Sequence, residues 1–145
     1  MSTKPSPYYV EEQFIFALVL SFGLFNRPPR IDDTGGRTHV VLGRLLKEKG
    51  ELVESLLGFT PVVDPKFGTY RCLDEALPKM HAYGLIRIGS SIDGPYLYVK
   101  LWPMNIQHYL DTWPSRVGIE PEAQAEARKK LIELCEHFRD LLTVK

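Results

Sequence analysis

The sequence predicts one mainly helical α+β domain with a β-hairpin set between helices. Its 145 residues are enough for a single domain with a buried core. Apolar residues recur at helical spacing over most of the chain, which favours helices. Residues 85–101 differ, because they combine an alternating stretch, the Asp93-Gly94 turn signal and a run rich in aromatic and β-branched residues. That pattern predicts two short antiparallel strands.

The N-terminal third predicts an arm, a central helix and a loop. Residues 1–9 contain Pro5 and Pro7 and are expected to form a loose arm. A first helix is predicted over Val10–Phe22. It is apolar over most of its circumference and should lie centrally. Residues 26–36 are rich in proline, glycine and charge and predict a loop.

Two helical segments precede the middle of the chain. Thr38–Lys49 is predicted to form a second helix that Gly50 closes, and Glu51–Leu57 a further short piece that Gly58 closes. Residues 59–67 hold two prolines and should be extended.

A third helix is predicted from Thr69 to the stop at Gly84. Leu73, Leu77 and Met80 form its apolar stripe. Pro78 lies in its middle and predicts either a kink or a division into two pieces. A kink is favoured, because the stripe continues through the proline.

After the hairpin, Met104–Trp113 predicts a helix and residues 114–118 a break. Pro121 then opens the longest helix, at about residues 120–143. Few later residues can cover its apolar stripe, so we expect a homodimer in which the C-terminal and first helices of two chains pack together. The alternative is that the helix folds back on its own chain, which would then be monomeric. The predicted dimer interface consists of Leu131, Leu134, Phe138 and Leu141.

A helix, a glycine stop and a hairpin form the second half of a winged helix-turn-helix. We therefore expect a winged helix in one domain of residues 10–145, with its wing at about 85–101, flanked by an N-terminal core helix and a long C-terminal helix. Phe67-Gly68-Thr69-Tyr70 and Gly84-Leu85-Ile86 resemble the PadR-type transcription regulators. In that family a similar opening begins the recognition helix, Gly-Leu-Ile follows it, and a long C-terminal helix mediates dimerisation. A rival resemblance is to antitoxin-like domains of the SocA kind, whose corresponding helix also closes on Gly-Leu-Ile.

The resemblance to PadR-type regulators implies binding of double-stranded DNA by a small transcription regulator. The residues expected to contact nucleic acid are Arg37, Arg44, Lys66, Thr69, Tyr70, Arg71 and Lys79. Two alternatives stay open for them: a solvated surface of mixed sign, and packing of Tyr70 beneath the wing. The formal net charge is zero, whereas a strongly basic chain would have argued for a phosphate partner.

The alternative function is a protein-interaction winged helix, either antitoxin-like or virus-encoded, without enzymatic activity. Its expected contact is the face of Tyr96, Tyr98 and Trp102, because neither side of the second hairpin strand is polar enough to be wholly solvated.

No catalytic residue, metal site or cofactor is predicted. Asp32-Asp33 precedes a glycine turn and could hold a divalent cation, but a capped loop before the second helix explains it better. The histidines have no zinc-ligand spacing. Cys72 and Cys135 lie on apolar stripes and are expected to be buried, reduced thiols. The chain lacks the pattern of a secretory signal and a long enough apolar run, so we expect a cytoplasmic protein that does not contact a membrane.

Overall fold

The computed structural model describes residues 5–61 and 70–143. It is mainly helical and carries a small antiparallel sheet, as the predicted α+β class requires. The elements in chain order are α1 (Pro7–Phe25), β1 (Arg30–Asp32), α2 (Arg37–Leu57), α3 (Arg71–Ala82), β2 (Ile86–Ser91), β3 (Gly94–Val99), α4 (Pro103–Arg116) and α5 (Gln124–Thr143). Short 3-10 turns at Thr34–Gly36 and Pro121–Ala123 lead into α2 and α5.

Helix α1 lies at the centre, as its apolar circumference predicts. Seven successive side chains from Phe14 to Leu20 are less than 5% exposed, and α3, α4, α5 and the sheet all pack on this helix. It begins at Pro7, because the Ser6 hydroxyl accepts a hydrogen bond from the Tyr9 N–H at 3.2 Å and caps the first turn. Residues 7–9 of the predicted arm therefore belong to α1, and residues 1–4 lie outside the described part.

The hairpin forms as predicted, but it gains a third strand. Strands β2 and β3 pair antiparallel, with Ile86 opposite Val99 and Ser91 opposite Gly94. Strand β1 pairs with the other edge of β3, so the strand order is β1-β3-β2. The prediction of a loop throughout residues 26–36 was wrong at β1, because a three-residue strand depends on pairing with β3 rather than on a local pattern.

Helix α2 has a kink inside it, whereas α3 is one continuous helix. The φ and ψ of Lys49, −124° and 25°, are not helical, so a kink divides α2 into two helical pieces at the boundary that the sequence predicts. Helix α3 continues through Pro78, so the alternative of two separate pieces was wrong. Gly58 and Gly84 have positive φ after these helices, which supports their predicted role as stops.

The apolar stripe of α5 is covered within its own chain. The side chains of Leu131, Leu134 and Phe138 are at most 1% exposed and that of Leu141 is 7% exposed, because α5 packs against α1, α2 and α4. The alternative of a helix that folds back on its own chain describes this packing, because the preceding helices form a bundle that accepts the stripe. The four residues of the predicted dimer interface are therefore not accessible to a second chain while α5 stays packed.

Candidate interaction surface

The start of α3 is fixed to α2 through His39. Nδ1 of His39 accepts a hydrogen bond from the Tyr70 N–H at 3.1 Å, and its other ring nitrogen lies 2.7 Å from the Asp74 carboxylate. The Tyr70 side chain is 8% exposed and packs over Gly43, and burial raises the pKa of its hydroxyl. Tyr70 therefore supports the α2–α3 contact, and its ring is not presented to a nucleic acid.

Lys79 joins α3 to α1. Its Nζ lies 2.8 Å from the Glu12 carboxylate and 3.4 Å from the Tyr8 hydroxyl. The Tyr8 hydroxyl in turn donates to Glu75 at 2.5 Å. The hydrogen bond with Glu12 raises the pKa of Lys79, and that from Tyr8 lowers the pKa of Glu75. This ionic cluster holds α3 against α1.

The three predicted arginine contacts also have partners within the chain. Arg37 donates to the Leu142 carbonyl at the end of α5 at 2.6 Å, which is a favourable place for a cation. Arg44 pairs with Glu48 at 3.2 Å, and Arg71 pairs with Glu75 at 2.9 Å. Each of the last two pairs spans one helical turn.

The predicted nucleic-acid set is thus not brought together as one basic face. Arg37 lies beside α5, Lys79 beside α1, and Tyr70 is buried. Lys66 and Thr69 lie outside the described residues. The open alternative of a mixed-sign surface describes the remaining residues, because Arg44 and Arg71 each have an acidic neighbour.

The sheet presents a different surface, which we call the outer sheet face: Arg30, Asp32, Arg87, Gly89, Tyr96 and Tyr98. These residues are direct cross-strand neighbours and point to the same side. Leu97 and Val99 alternate with the tyrosines of β3 and are buried on the other side. The helices cover only that inner side, so the outer one faces solvent.

Tyr98 lies in the middle of a row of three side chains on the outer sheet face. It is opposite Arg30 on β1 and opposite Arg87 on β2. Its side chain is 39% exposed. The row therefore places an accessible phenol between two cations.

The ring of Tyr96 is in contact with neighbouring residues of the sheet. The Arg30 guanidinium lies 4.2 Å from its ring centre, and this arginine is also paired with Asp32 at 3.2 Å and bonded to the Ser91 hydroxyl. A Cβ at Gly89 would lie 2.4 Å from the Tyr96 ring, so the ring covers that glycine. Tyr96 and Arg30 are therefore engaged with other residues of the outer sheet face, and neither side chain is free to contact a partner.

Beyond β3, two more large apolar side chains are exposed near the start of α4. Trp102 is 75% exposed and Met104 is 78% exposed. The side chains of Arg87 and Lys100 have no hydrogen-bond or ion-pair partner among the residues that the structure describes. Sequence reasoning singled out Tyr96, Tyr98 and Trp102 but missed Arg30, whose only signal was the alternation Arg-Ile-Asp within a proline-rich stretch.

The described residues offer no cluster of three or more metal-ligating side chains. Asp33 instead accepts hydrogen bonds from the N–H and the hydroxyl of Thr38 and so caps α2. Both thiols are buried, which raises the pKa of Cys135 to about 12 and raises that of Cys72 as well. A thiolate nucleophile is therefore disfavoured at either position.

Within residues 5–61 and 70–143, none of the helices has the length and hydropathy that crossing a bilayer would need. Comparisons with protein-family models, curated proteins and solved structures find no match to this chain.

Proposed function

We propose that this chain is a winged-helix module that binds another protein through its outer sheet face and the adjoining Trp102. The order of elements supports the winged helix: one helix and a short strand precede two helices, and a hairpin follows. Pairing of β1 with β3 joins the first strand to the wing. Function then depends on which surface of that fold is free to bind.

One contrast carries the proposal. The aromatic side chains Tyr98 and Trp102 are exposed beside the cations Arg87 and Lys100, which have no described partner, whereas the basic residues of α3 are engaged with carboxylates. Aromatic residues and arginine are the side chains most enriched where proteins bind one another. A single exposed aromatic residue is ordinary, but two aromatics and two unpaired cations in one region are typical of a contact surface.

Binding of duplex DNA by α3 is the second candidate, because Arg71 is 82% exposed at the start of that helix in a winged-helix order of elements. The carboxylates of Asp74 and Glu75 on the same helix oppose it, since they would repel phosphate. A transcription regulator would use this surface, and the two candidates therefore predict different contact residues.

The test is site-specific photo-cross-linking in cells of the source organism. A photoreactive phenylalanine analogue at Tyr98 or Trp102 should form one and the same protein adduct. The matched control places the analogue at Val40, which is 66% exposed on α2, and should give no such adduct. In parallel, purified protein is titrated with duplex DNA at low salt. Salt-sensitive retardation that Arg71→Ala abolishes, with no adduct at position 98, would refute the proposal in favour of DNA binding.

A further inference from the structure

We infer that the partner of the outer sheet face is an acidic segment of a protein, which Arg87 and Lys100 bind beside Tyr98 while Trp102 contacts an apolar side chain of the same segment. This inference rests on the proposed function and specifies the chemistry of the partner. The outer sheet face keeps a positive charge at Arg87 beyond its internal Arg30–Asp32 pair.

Only part of the positive charge at the sheet is neutralised. The Arg30 guanidinium forms an ion pair with Asp32, donates a hydrogen bond to Ser91 and stacks on the Tyr96 ring. Its positive charge is therefore compensated within the outer sheet face. Arg87 and Lys100 are exposed and have no described partner. They lie next to Tyr98, the first directly across the strand pair and the second two residues further along the chain. Two cations with no described partner thus lie close in the fold to one accessible ring.

An acidic peptide suits this arrangement because its carboxylates can accept from Arg87 and Lys100 at the same time. The guanidinium of arginine binds a carboxylate in a bidentate manner, which adds orientation to attraction. The phenol of Tyr98 beside these cations supplies apolar area and a hydroxyl. Trp102 and Met104 continue the surface with side chains that are three-quarters exposed, so the peptide should carry an apolar residue beside its acids.

The same face is poorly built for a single-stranded nucleic acid. Successive bases need successive free aromatic rings to stack on. The ring of Tyr96 carries Arg30 at 4.2 Å and covers Gly89, so it is not free. Tyr98 alone remains on the sheet. The outer sheet face therefore favours a carboxylate-rich peptide over a run of bases.

Tryptophan fluorescence of the chain itself can report on this binding. It has two tryptophans, of which Trp113 is completely buried and Trp102 is 75% exposed. Acrylamide quenching of the exposed one therefore reports on the proposed surface. The probe is a random copolymer of glutamate and tyrosine, with polylysine as the charge control and oligothymidylate as the nucleic-acid control.

The glutamate–tyrosine copolymer should protect Trp102 from acrylamide, and polylysine should not. The double variant Arg87→Glu with Lys100→Glu should bind the copolymer about tenfold or more weakly, because two attractions become repulsions. Lys47→Glu with Lys129→Glu changes the net charge equally at two exposed positions on α2 and α5, and should bind as the wild type does. Circular dichroism of both double variants verifies that they are folded.

Equal affinity of the two double variants, or no protection by the copolymer, would overturn the inference. Stronger protection by oligothymidylate that depends on Arg87 and Lys100 would also overturn it, in favour of nucleic acid. A cross-linked protein adduct at Tyr98 together with a negative copolymer result leaves the proposed function standing and removes the acidic partner alone. The absence of any adduct refutes the proposed function itself.

Discussion

Truncation of Leu134 to alanine distinguishes a core residue from a dimer contact. Leu134 is 0% exposed and lies between Leu131 and Phe138 on the stripe that faces α1, α2 and α4. Removal of a fully buried leucine side chain costs its transfer free energy and leaves a cavity, together about 3 kcal/mol. For a domain of this length, that loss lowers the Tm by about 10 °C. We expect a thermal scan to show this shift with no change in the molar mass measured by light scattering.

Val40→Ala is the matched control, because Val40 is an apolar side chain on α2 that is 66% exposed. Its loss should change the free energy of unfolding by less than about 0.5 kcal/mol. A different pair of results would refute the reasoning: a dimeric wild type that Leu134→Ala converts to a monomer while the Tm of the chain stays within a few degrees. Leu134 would then lie in a seam between two chains, as the stripe near the chain end first suggested.

Three further predictions concern the outer sheet face, the thiols and the α1–α3 cluster. Gly89→Ala should destabilise the protein by about 1 kcal/mol in thermal scans, because the new Cβ displaces the Tyr96 ring; an unchanged Tm would show that the ring has no fixed place. The Cys135 thiol, with its pKa raised to about 12, should react with a disulfide reagent at mildly alkaline pH only at the rate of unfolding, and rapid labelling of the native protein would contradict its burial. The hydrogen bond from Tyr8 lowers the pKa of Glu75, so this interaction stabilises the fold at neutral pH and is lost as the pH falls through that pKa. The difference in the free energy of unfolding between wild type and Tyr8→Phe should therefore vanish in acid. A difference that does not depend on pH would argue against the Tyr8–Glu75 hydrogen bond.

Elements with a strong local signal could be predicted from the sequence. The hairpin carried an Asp-Gly turn between two β-prone runs, and α1 was recognisable as central from its apolar circumference. Both are found in the structure. Strand β1 could not be predicted, because three residues hold no period, and their strand conformation depends on hydrogen bonds with β3. Arg30 entered the outer sheet face only through that pairing.

The partners of charged residues could not be predicted from the sequence for a similar reason. Lys79 is 67 positions from Glu12 and Arg37 is 105 positions from Leu142, so no local pattern records either contact. Their position near a predicted recognition helix therefore favours phosphate contacts for Lys79 and Arg37, although tertiary packing uses both to join helices. The aromatic residues were easier, because alternation along β3 already placed Tyr96 and Tyr98 on one side.

The zero net charge of the chain is the sum of its basic and acidic residues, and the structure shows how these pair in each region. On the helical side, Arg71 and Lys79 of α3 are compensated by Glu75 and Glu12. Removal of these carboxylates to favour a phosphate partner would also remove contacts that hold α3 in place, so a basic recognition surface and this packing are in conflict. On the sheet no such conflict exists, because Arg87 and Lys100 have no described side-chain partner. The proposed acidic partner would therefore break no described contact of these two side chains.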